Sequence, residues 1–316
     1  MRKLLRRILP KKLKEFIKQF IKIDFIPSLS LEERIHKLKK DYFLCMNLNL
    51  NLESPVLFTE KVQWLKLFYC TEAMKQCVDK VLFKEYIAKK LGGGYTAPVI
   101  TVWSSPEEVD INSIKANKFV LKSNLQSDGK FIVLVNNKND IDIDKTEAEI
   151  KKYWFDTRLL LTNSFCSAYY GAKPRVIVEE FIEEFAGVAN DYKIFCFNGK
   201  PKFVYIAEEH FKDGETTEVY PITFLDLEWN IMDVSYGNHT INPNVKKPCH
   251  WNEMIKIAEK LCIDFPFVRV DFFDTEEKLY LSELTFYPGG GLTPYHPVEF
   301  NKKLGDMFKL PKRNLW

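Results

Sequence analysis

At Ala97 the chain changes character, and this change restricts its fold more than any other feature. Downstream come short segments rich in β-branched and aromatic residues, at 98–103, 119–122, 131–135, 176–181, 191–197 and 202–207. Segments of that length and composition read as strands. Asn198-Gly199, between the last two, is the strongest hairpin-turn dipeptide available, because both residues tolerate positive φ. A second hairpin is expected from 268–273 and 279–286, and helices at about 145–161 and 251–262 are interleaved. Antiparallel hairpins mixed with helices predict α+β lobes rather than a doubly wound parallel sheet.

Upstream the chain reads as mainly helical, with helices at 30–43, 58–69 and 78–91, the last stopped by Gly92-Gly93-Gly94. Ser30 followed three residues later by Glu33 is a capping-box pattern. Residues 11–22 follow Pro10 and place Leu13, Phe16, Ile17, Phe20 and Ile21 on one face and Lys11, Lys14, Lys18 and Lys22 largely on the other. This basic amphipathic helix suits an anionic membrane surface, where each Lys or Arg is worth about 1 kcal/mol before screening. It equally suits packing on the body or on a partner. The expected location is cytoplasmic, with residues 1–22 peripheral on the inner face of the plasma membrane. No nucleic-acid partner is expected.

With 316 residues, the chain exceeds the size at which single cores stop growing, so two or more lobes are expected. At 46% hydrophobic and 28% charged, its composition is that of a globular protein rather than a disordered one. The cysteines at 45, 70, 77, 166, 196, 249 and 262 include no Cys-x-x-Cys pair and read as reduced thiols. The histidines at 36, 210, 239, 250 and 296 do not fall at zinc-site spacing; adjacent Cys249 and His250 cannot make a site alone, so no structural zinc is expected. No apolar run reaches the roughly 18 residues that span a bilayer, and the basic start lacks an uninterrupted hydrophobic region and a cleavage site. Neither a cleaved secretory signal nor an integral membrane protein is expected.

The most informative stretch is 265–273 followed by 278–291. Strand alternation puts Arg269 and Asp271 on one face and Val268, Val270 and Phe272 on the other. With a loop at 274–278, Arg269 faces Glu283 across the hairpin and Asp271 is its diagonal neighbour. Two readings stay open here. The three charges form an ion-pair trio on a solvated face, contributing under about 1 kcal/mol per pair, or the two carboxylates hold a divalent cation such as Mg2+ that bridges phosphates. Lys122 ends an apolar strand and leads into a small polar loop at 124–129, where it can meet phosphate oxygens. Residues 176–182 form an apolar strand running into a linker whose backbone can pair with an adenine edge, and Asp191 can accept from ribose hydroxyls. His210, Lys212 and Tyr287 are acceptor-side candidates for which structural roles are equally open.

The order of these pieces resembles the ATP-grasp superfamily, and in detail its TupA-like family, linked to teichuronopeptide and other surface-polysaccharide synthesis. The likeness runs from about residue 38 to 311 and lies in several ordered motifs. They are Asn51 to Lys66 with Pro55, Phe58-Thr59-Glu60-Lys61 and Trp64-Leu65-Lys66; Asp79-Lys80 and Lys84-Glu85-Tyr86; Phe119 to Asn124; Val178-Glu179-Glu180; Asp191 to Pro201; Phe265 to Asp271; and Glu283 to Pro288. The resemblance implies an ATP-grasp fold, in which two α+β lobes with antiparallel sheets clamp ATP after a mainly helical N-terminal region. The implied divisions are an N-terminal helix at 1–27, a helical region at 28–115, a small lobe at 116–185 and a large lobe at 186–316.

By position, the resemblance places Lys80 and Lys122 on the phosphates, with Glu179, Glu180 and Ile182 in the adenine hinge and Asp191 on ribose. Arg269 neutralises the transferring phosphoryl group, with Lys122 as its catalytic companion, and Asp271 and Glu283 hold Mg2+. The implied activity is ADP-forming carbon–nitrogen ligation: a substrate carboxylate attacks the γ-phosphate and an amine intercepts the acyl phosphate. The implied partners are ATP, a glycan or uronic acid carboxylate, and an amine. The sequence departs from the superfamily at Glu283-Leu284-Thr285, where many members have Glu-x-Asn. It departs again after Asn124, where Leu125-Gln126-Ser127-Asp128-Gly129 replaces the usual Asn-His-Gly-Ser-Gly. The competing readings are a phosphotransferase acting on a hydroxyl, and a glycosyltransferase or its non-catalytic partner. Against the last, Asp142-Ile143-Asp144 reads as a helix cap rather than a sugar-nucleotide site.

Overall fold

The computed structural model describes residues 29–125, 131–163, 165–183, 190–208, 211–212, 215–216, 220–275 and 277–315. The expected helix at 11–22 and most of the 124–129 loop lie outside these residues. Four helices, α1 (Leu31–Met46), α2 (Phe58–Phe68), α3 (Glu72–Val78) and α4 (Lys80–Leu91), precede β1 (Val99–Trp103), β2 (Phe119–Ser123) and β3 (Ile132–Val135). Next come α5 (Ile143–Asn163), β4 (Val176–Glu180), β5 (Asp191–Phe197), β6 (Lys200–Ala207), β7 (Phe211–Lys212), β8 (Glu215–Thr216), β9 (Ile222–Asp226) and β10 (Ser235–Tyr236). The chain closes with α6 (Trp251–Cys262), β11 (Phe267–Asp274), β12 (Leu279–Thr285), β13 (Tyr295–His296) and α7 (Val298–Met307). Among the described residues no helix is long and apolar enough to cross a membrane.

Local chemistry explains the helix boundaries. Ser30 and Glu33 form the expected capping box, each side chain accepting from the other's backbone N–H. The helix expected at 78–91 starts instead at Lys80, because Asp79 is extended (φ −95°, ψ 113°) and its Oδ1 accepts from the N–H groups of Val81 and Leu82. An Asp at this position satisfies orphan donors of the first turn, so the chain forms two short helices that meet at Asp79. Asp142 likewise caps α5, accepting from Lys145 N at 3.0 Å.

Two antiparallel sheets carry the rest. One has the order β1-β4-β2-β3, the other β12-β11-β5-β6-β9. β1, which precedes the expected division at residue 115, pairs with β4 in the first of these. Each sheet has its own buried apolar cluster.

The five-stranded sheet positions the candidate site. On one face, Ile194, Cys196, Val268, Val270 and Phe272 are buried, and α6 lies across β5, β6 and β11. The opposite face changes along its length. At one end Phe195, Phe197 and Phe267 gather around Phe58 of α2, with Phe58 and Phe267 centroids 5.0 Å apart, and Phe308 closes the cluster. Two residues further along the same strands the face turns charged, with Arg269, Asp271 and Lys193.

α2 and α7 hold the aromatic end shut. Lys61 Nζ donates to the carbonyls of Gly305 and Phe308 at 2.7 and 2.6 Å, satisfying carbonyls at the end of α7. Gly305 is required there, because an added Cβ would lie 1.9 Å from the Val56 carbonyl oxygen. Backbone cannot yield that distance cheaply. Gly305→Ala is therefore expected to lower stability by about 3 kcal/mol, read as a lower urea midpoint at unchanged m-value.

Candidate active site

Arg269 forms a fork with Asp271 two residues on. Nε donates to Oδ1 at 2.7 Å and Nη2 to Oδ2, while Nη1 donates to the Tyr205 hydroxyl at 3.2 Å. Nη2 also reaches Glu283 Oε1 at 3.1 Å and Thr285 Oγ1 at 3.0 Å. From the next strand Lys193 Nζ contacts Asp271 Oδ2 and Asp191 Oδ2, each at 3.1 Å. The three charges therefore do not lie on a solvated face, one of the two readings left open, but in a largely buried network with at least two further members.

The hairpin register differs from the expected one. Strands β11 and β12 extend to Asp274 and Leu279, and Thr275 closes the turn by accepting from Lys278 N at 2.9 Å. Between Asp271 and Phe272 the register shifts and Ser282 becomes the extra, bulged residue. Glu283 consequently stands opposite Asp271, and Arg269 faces Thr285. All four remain on one face, and Thr285 Oγ1 donates to Glu283 Oε1 at 2.8 Å.

Burial sets the protonation behaviour. Asp271 has no exposed surface, and this pushes its carboxyl up to about 6 although Arg269 and Lys193 pull the other way. It stays ionised at neutral pH. Burial also works against Glu283, but Arg269, Lys80 and Lys193 outweigh it and hold the carboxyl below its ordinary value. Lys193 is raised, since Asp191 and Asp271 together overcome the loss of solvent. Glu283 keeps 26% of its side chain accessible, so of the two carboxylates it is the one open to a ligand.

The four-stranded sheet supplies a second group of charges. Glu179, almost fully buried, bridges Lys84 and Lys122 at 2.7 Å each. Burial alone raises its carboxyl, but the two ammoniums hold it at about 2. Lys84 shares that one carboxylate with Lys122, and its burial keeps it below the usual lysine range. Lys80, at the first position of α4, is lowered by burial, and the fields of Glu283, Lys122, Glu179 and Asp79 all reach it. It is therefore the residue where the charges of the two sheets meet.

Asp79 fixes that junction. Its Oδ2 accepts from Asn124 Nδ2 at 2.8 Å and from Arg175 Nη2 at 2.5 Å. Asn124 accepts from Arg175 N at 2.7 Å, and its own carbonyl accepts from Lys80 N at 2.9 Å. Asn124 is fully buried.

The remaining expected residues are placed as follows. Asp191 starts β5 beside Lys193. Glu180 ends β4 with an exposed side chain and donates its N–H to Pro98 O, and Ile182 follows, half-buried. Tyr287 is buried with its hydroxyl 3.5 Å from Ser167 Oγ; His210 and the Lys212 side chain lie outside the described residues. The sequence reading missed Lys193, Thr285, Lys84, Tyr205 and Arg175. Alternation exposes the first two, since Asp191 and Lys193 share a strand face, as do Glu283 and Thr285; nothing local marks the other three.

With its two antiparallel sheets of four and five strands after a helical N-terminal region, the chain has the ATP-grasp fold. More narrowly, the chain belongs to the family described as TupA-like ATPgrasp, whose model matches residues 60–309. No curated protein matches it. Among solved structures, a D-alanine–D-alanine ligase from Bacillus anthracis complexed with ATP is 13% identical with a TM-score of 0.40, over 67% of this chain and 55% of that one. A D-alanine–D-alanine ligase from Helicobacter pylori is 19% identical with a TM-score of 0.41, over 80% and 69%. An L-amino acid ligase from Bacillus licheniformis is 13% identical with a TM-score of 0.44, over 82% and 56%. The chain thus spans little more than half the length of the Bacillus proteins it matches.

The Glu179 bridge has a measurable pH signature. A carboxyl held below its unfolded value stabilises the fold above that value and loses this contribution as pH falls through the folded one. Here the window runs from about 4.5 down to about 2. Glu179→Gln, which leaves two ammoniums without their carboxylate, is expected to cost about 3 kcal/mol at pH 7 and to flatten the acid limb of a stability-against-pH curve in that window.

Proposed function

We propose that the chain is an ATP-dependent carboxylate–amine ligase whose nucleotide lies between the Lys80–Lys122 group and the Arg269–Asp271–Glu283 network. The observation that carries this reading is the position of Lys80, within the fields of Glu283 from one sheet and of Glu179 and Lys122 from the other. In this reading the four-stranded sheet belongs to the small lobe and the five-stranded sheet to the large one. Triphosphate oxygens take up Lys80 and Lys122, the backbone near Glu180 and Ile182 meets adenine, and Asp191 accepts from ribose.

The donor set suits Mg2+. Glu283 and Asp271 are hard oxygen ligands side by side on paired strands, Glu283 with accessible surface and Asp271 by exchanging a hydrogen bond from Arg269 or Lys193. When bound, the ion neutralises charge on the bridging phosphates. Arg269 is held by Asp271 and Tyr205 and so presents a preorganised guanidinium to the transferring phosphoryl group. The substrate carboxylate attacks the γ-phosphorus and the bond to ADP breaks. The amine then attacks the acyl carbon, phosphate leaves, and the amine loses a proton. Burial of the network excludes water that would hydrolyse the mixed anhydride.

The family resemblance supports a surface glycan or uronic acid as the carboxylate, with an amino acid or other amine as the acceptor. The basic and apolar pattern of residues 11–22 supports a site of action at the inner face of the plasma membrane. A coupled ADP-release screen of uronic acids against amino acids tests the ligase reading. ADP is expected only when both substrates are present, with roughly 100-fold lower rates in Lys122→Ala, Asp271→Asn and the less buried Glu283→Gln. ADP formed with a phosphorylated hydroxyl and no amine favours a phosphotransferase, and rates unchanged in all three variants refute the site.

A further inference from the structure

Behind the five-stranded sheet, on the face opposite the charged network, the fold assembles donors that are far apart in sequence. Cys249 and His250 lie just before α6, and Asp274 ends β11. The Cys249 thiol, a ring nitrogen of His250 and a carboxylate oxygen of Asp274 all lie within 4.8 Å of one another. The adjacent Cys-His pair, insufficient alone, thus gains a third donor from a strand. His250 Nδ1 is 2.5 Å from Asp274 Oδ1, and His250 N donates to Oδ2 at 3.3 Å, so the carboxylate is already turned toward the imidazole. Asp274 is almost completely buried, whereas Cys249 is exposed. A cavity of about 520 Å³ opens beside them, with Tyr95, Cys249, His250 and Glu253 in its wall.

We infer that Cys249, His250 and Asp274 form a zinc-type metal site with an open coordination position on this cavity. A thiolate, an imidazole and a carboxylate suit a borderline ion such as Zn2+ or Co2+ rather than Mg2+. Zn–ligand distances of about 2.0–2.3 Å put tetrahedral donors roughly 3.3–3.8 Å apart. Donors already within 4.8 Å reach that spacing by side-chain rotation. Metal binding releases the thiol proton and leaves the imidazole proton on Nε2. Two anionic donors more than offset the positive end of α6. With three protein ligands, the fourth position is left to water or a small solute.

Titration of the full chain with Co2+ alone is the test. The expected result is one thiolate-bound ion per chain, read from a near-ultraviolet thiolate-to-cobalt charge-transfer band and distinct from any ion on Asp271 and Glu283. Cys249→Ser should abolish the band with an unchanged thermal midpoint, since the residue is exposed. Asp274→Asn should weaken the binding read from this band by about 10-fold or more, and Glu283→Gln in the nucleotide cleft should leave the band titration unchanged. No band in the wild-type chain, or a band that survives Cys249→Ser and so arises from another cysteine, overturns the site. The readout is independent of ATP chemistry, so its failure is distinguishable from failure of the ligase reading.

Discussion

Asp271 has no surface open to water, and its oxygens are held by cations from two strands. The candidate site is arranged around this contact. Desolvating several charges together costs more than their attraction reliably returns, so a buried network is weak support for stability by itself. A well-packed apolar face would hold the same strands at least as firmly. The neighbouring end of this very face does so, with Phe195, Phe197 and Phe267 packed around Phe58. The switch from phenylalanine to charge within two residues of one strand is therefore most economically explained by chemistry.

The second constraint is the buried junction at Asp79. One carboxylate caps α4, receives the Asn124 amide and pairs with Arg175, so it ties the helix bearing Lys80 to strands β2 and β4. Lys80 is thereby fixed where it feels both the Glu179 bridge and Glu283. Lys122 and Lys84 share the same carboxylate, and in the proposed ligase an incoming phosphate competes with Glu179 for the more exposed Lys122. Fixed cations of this sort need little reorganisation when charge arrives.

Much of the fold was legible because strand alternation and turn chemistry are local. Asn198-Gly199, the Ser30 cap and the charged alternation at Arg269 and Asp271 each stated their role in a few residues. The hairpin register was not, because it depends on where Thr275 closes the turn and on the bulge at Ser282, both settled by the packing of β11 against β5. α3 was not expected and the start of α4 was set two residues early, because the interactions that fix Asp79 as a cap come from Asn124 and Arg175, about 45 and 96 positions away. Lys193 escaped notice for a similar reason. A lysine two residues after an aspartate is ordinary until the neighbouring strand brings Asp271 beside it.

In the proposed ligase, nucleotide phosphates dock between the lysines of one sheet and the carboxylates of the other. A crystal structure with Mg2+ and a non-hydrolysable ATP analogue tests it most directly. Phosphate oxygens are expected on Lys80 and Lys122, and the ion on Glu283. A nucleotide bound elsewhere, or an occupied cleft in which Glu283 carries no metal and Arg269 no phosphate, would contradict it.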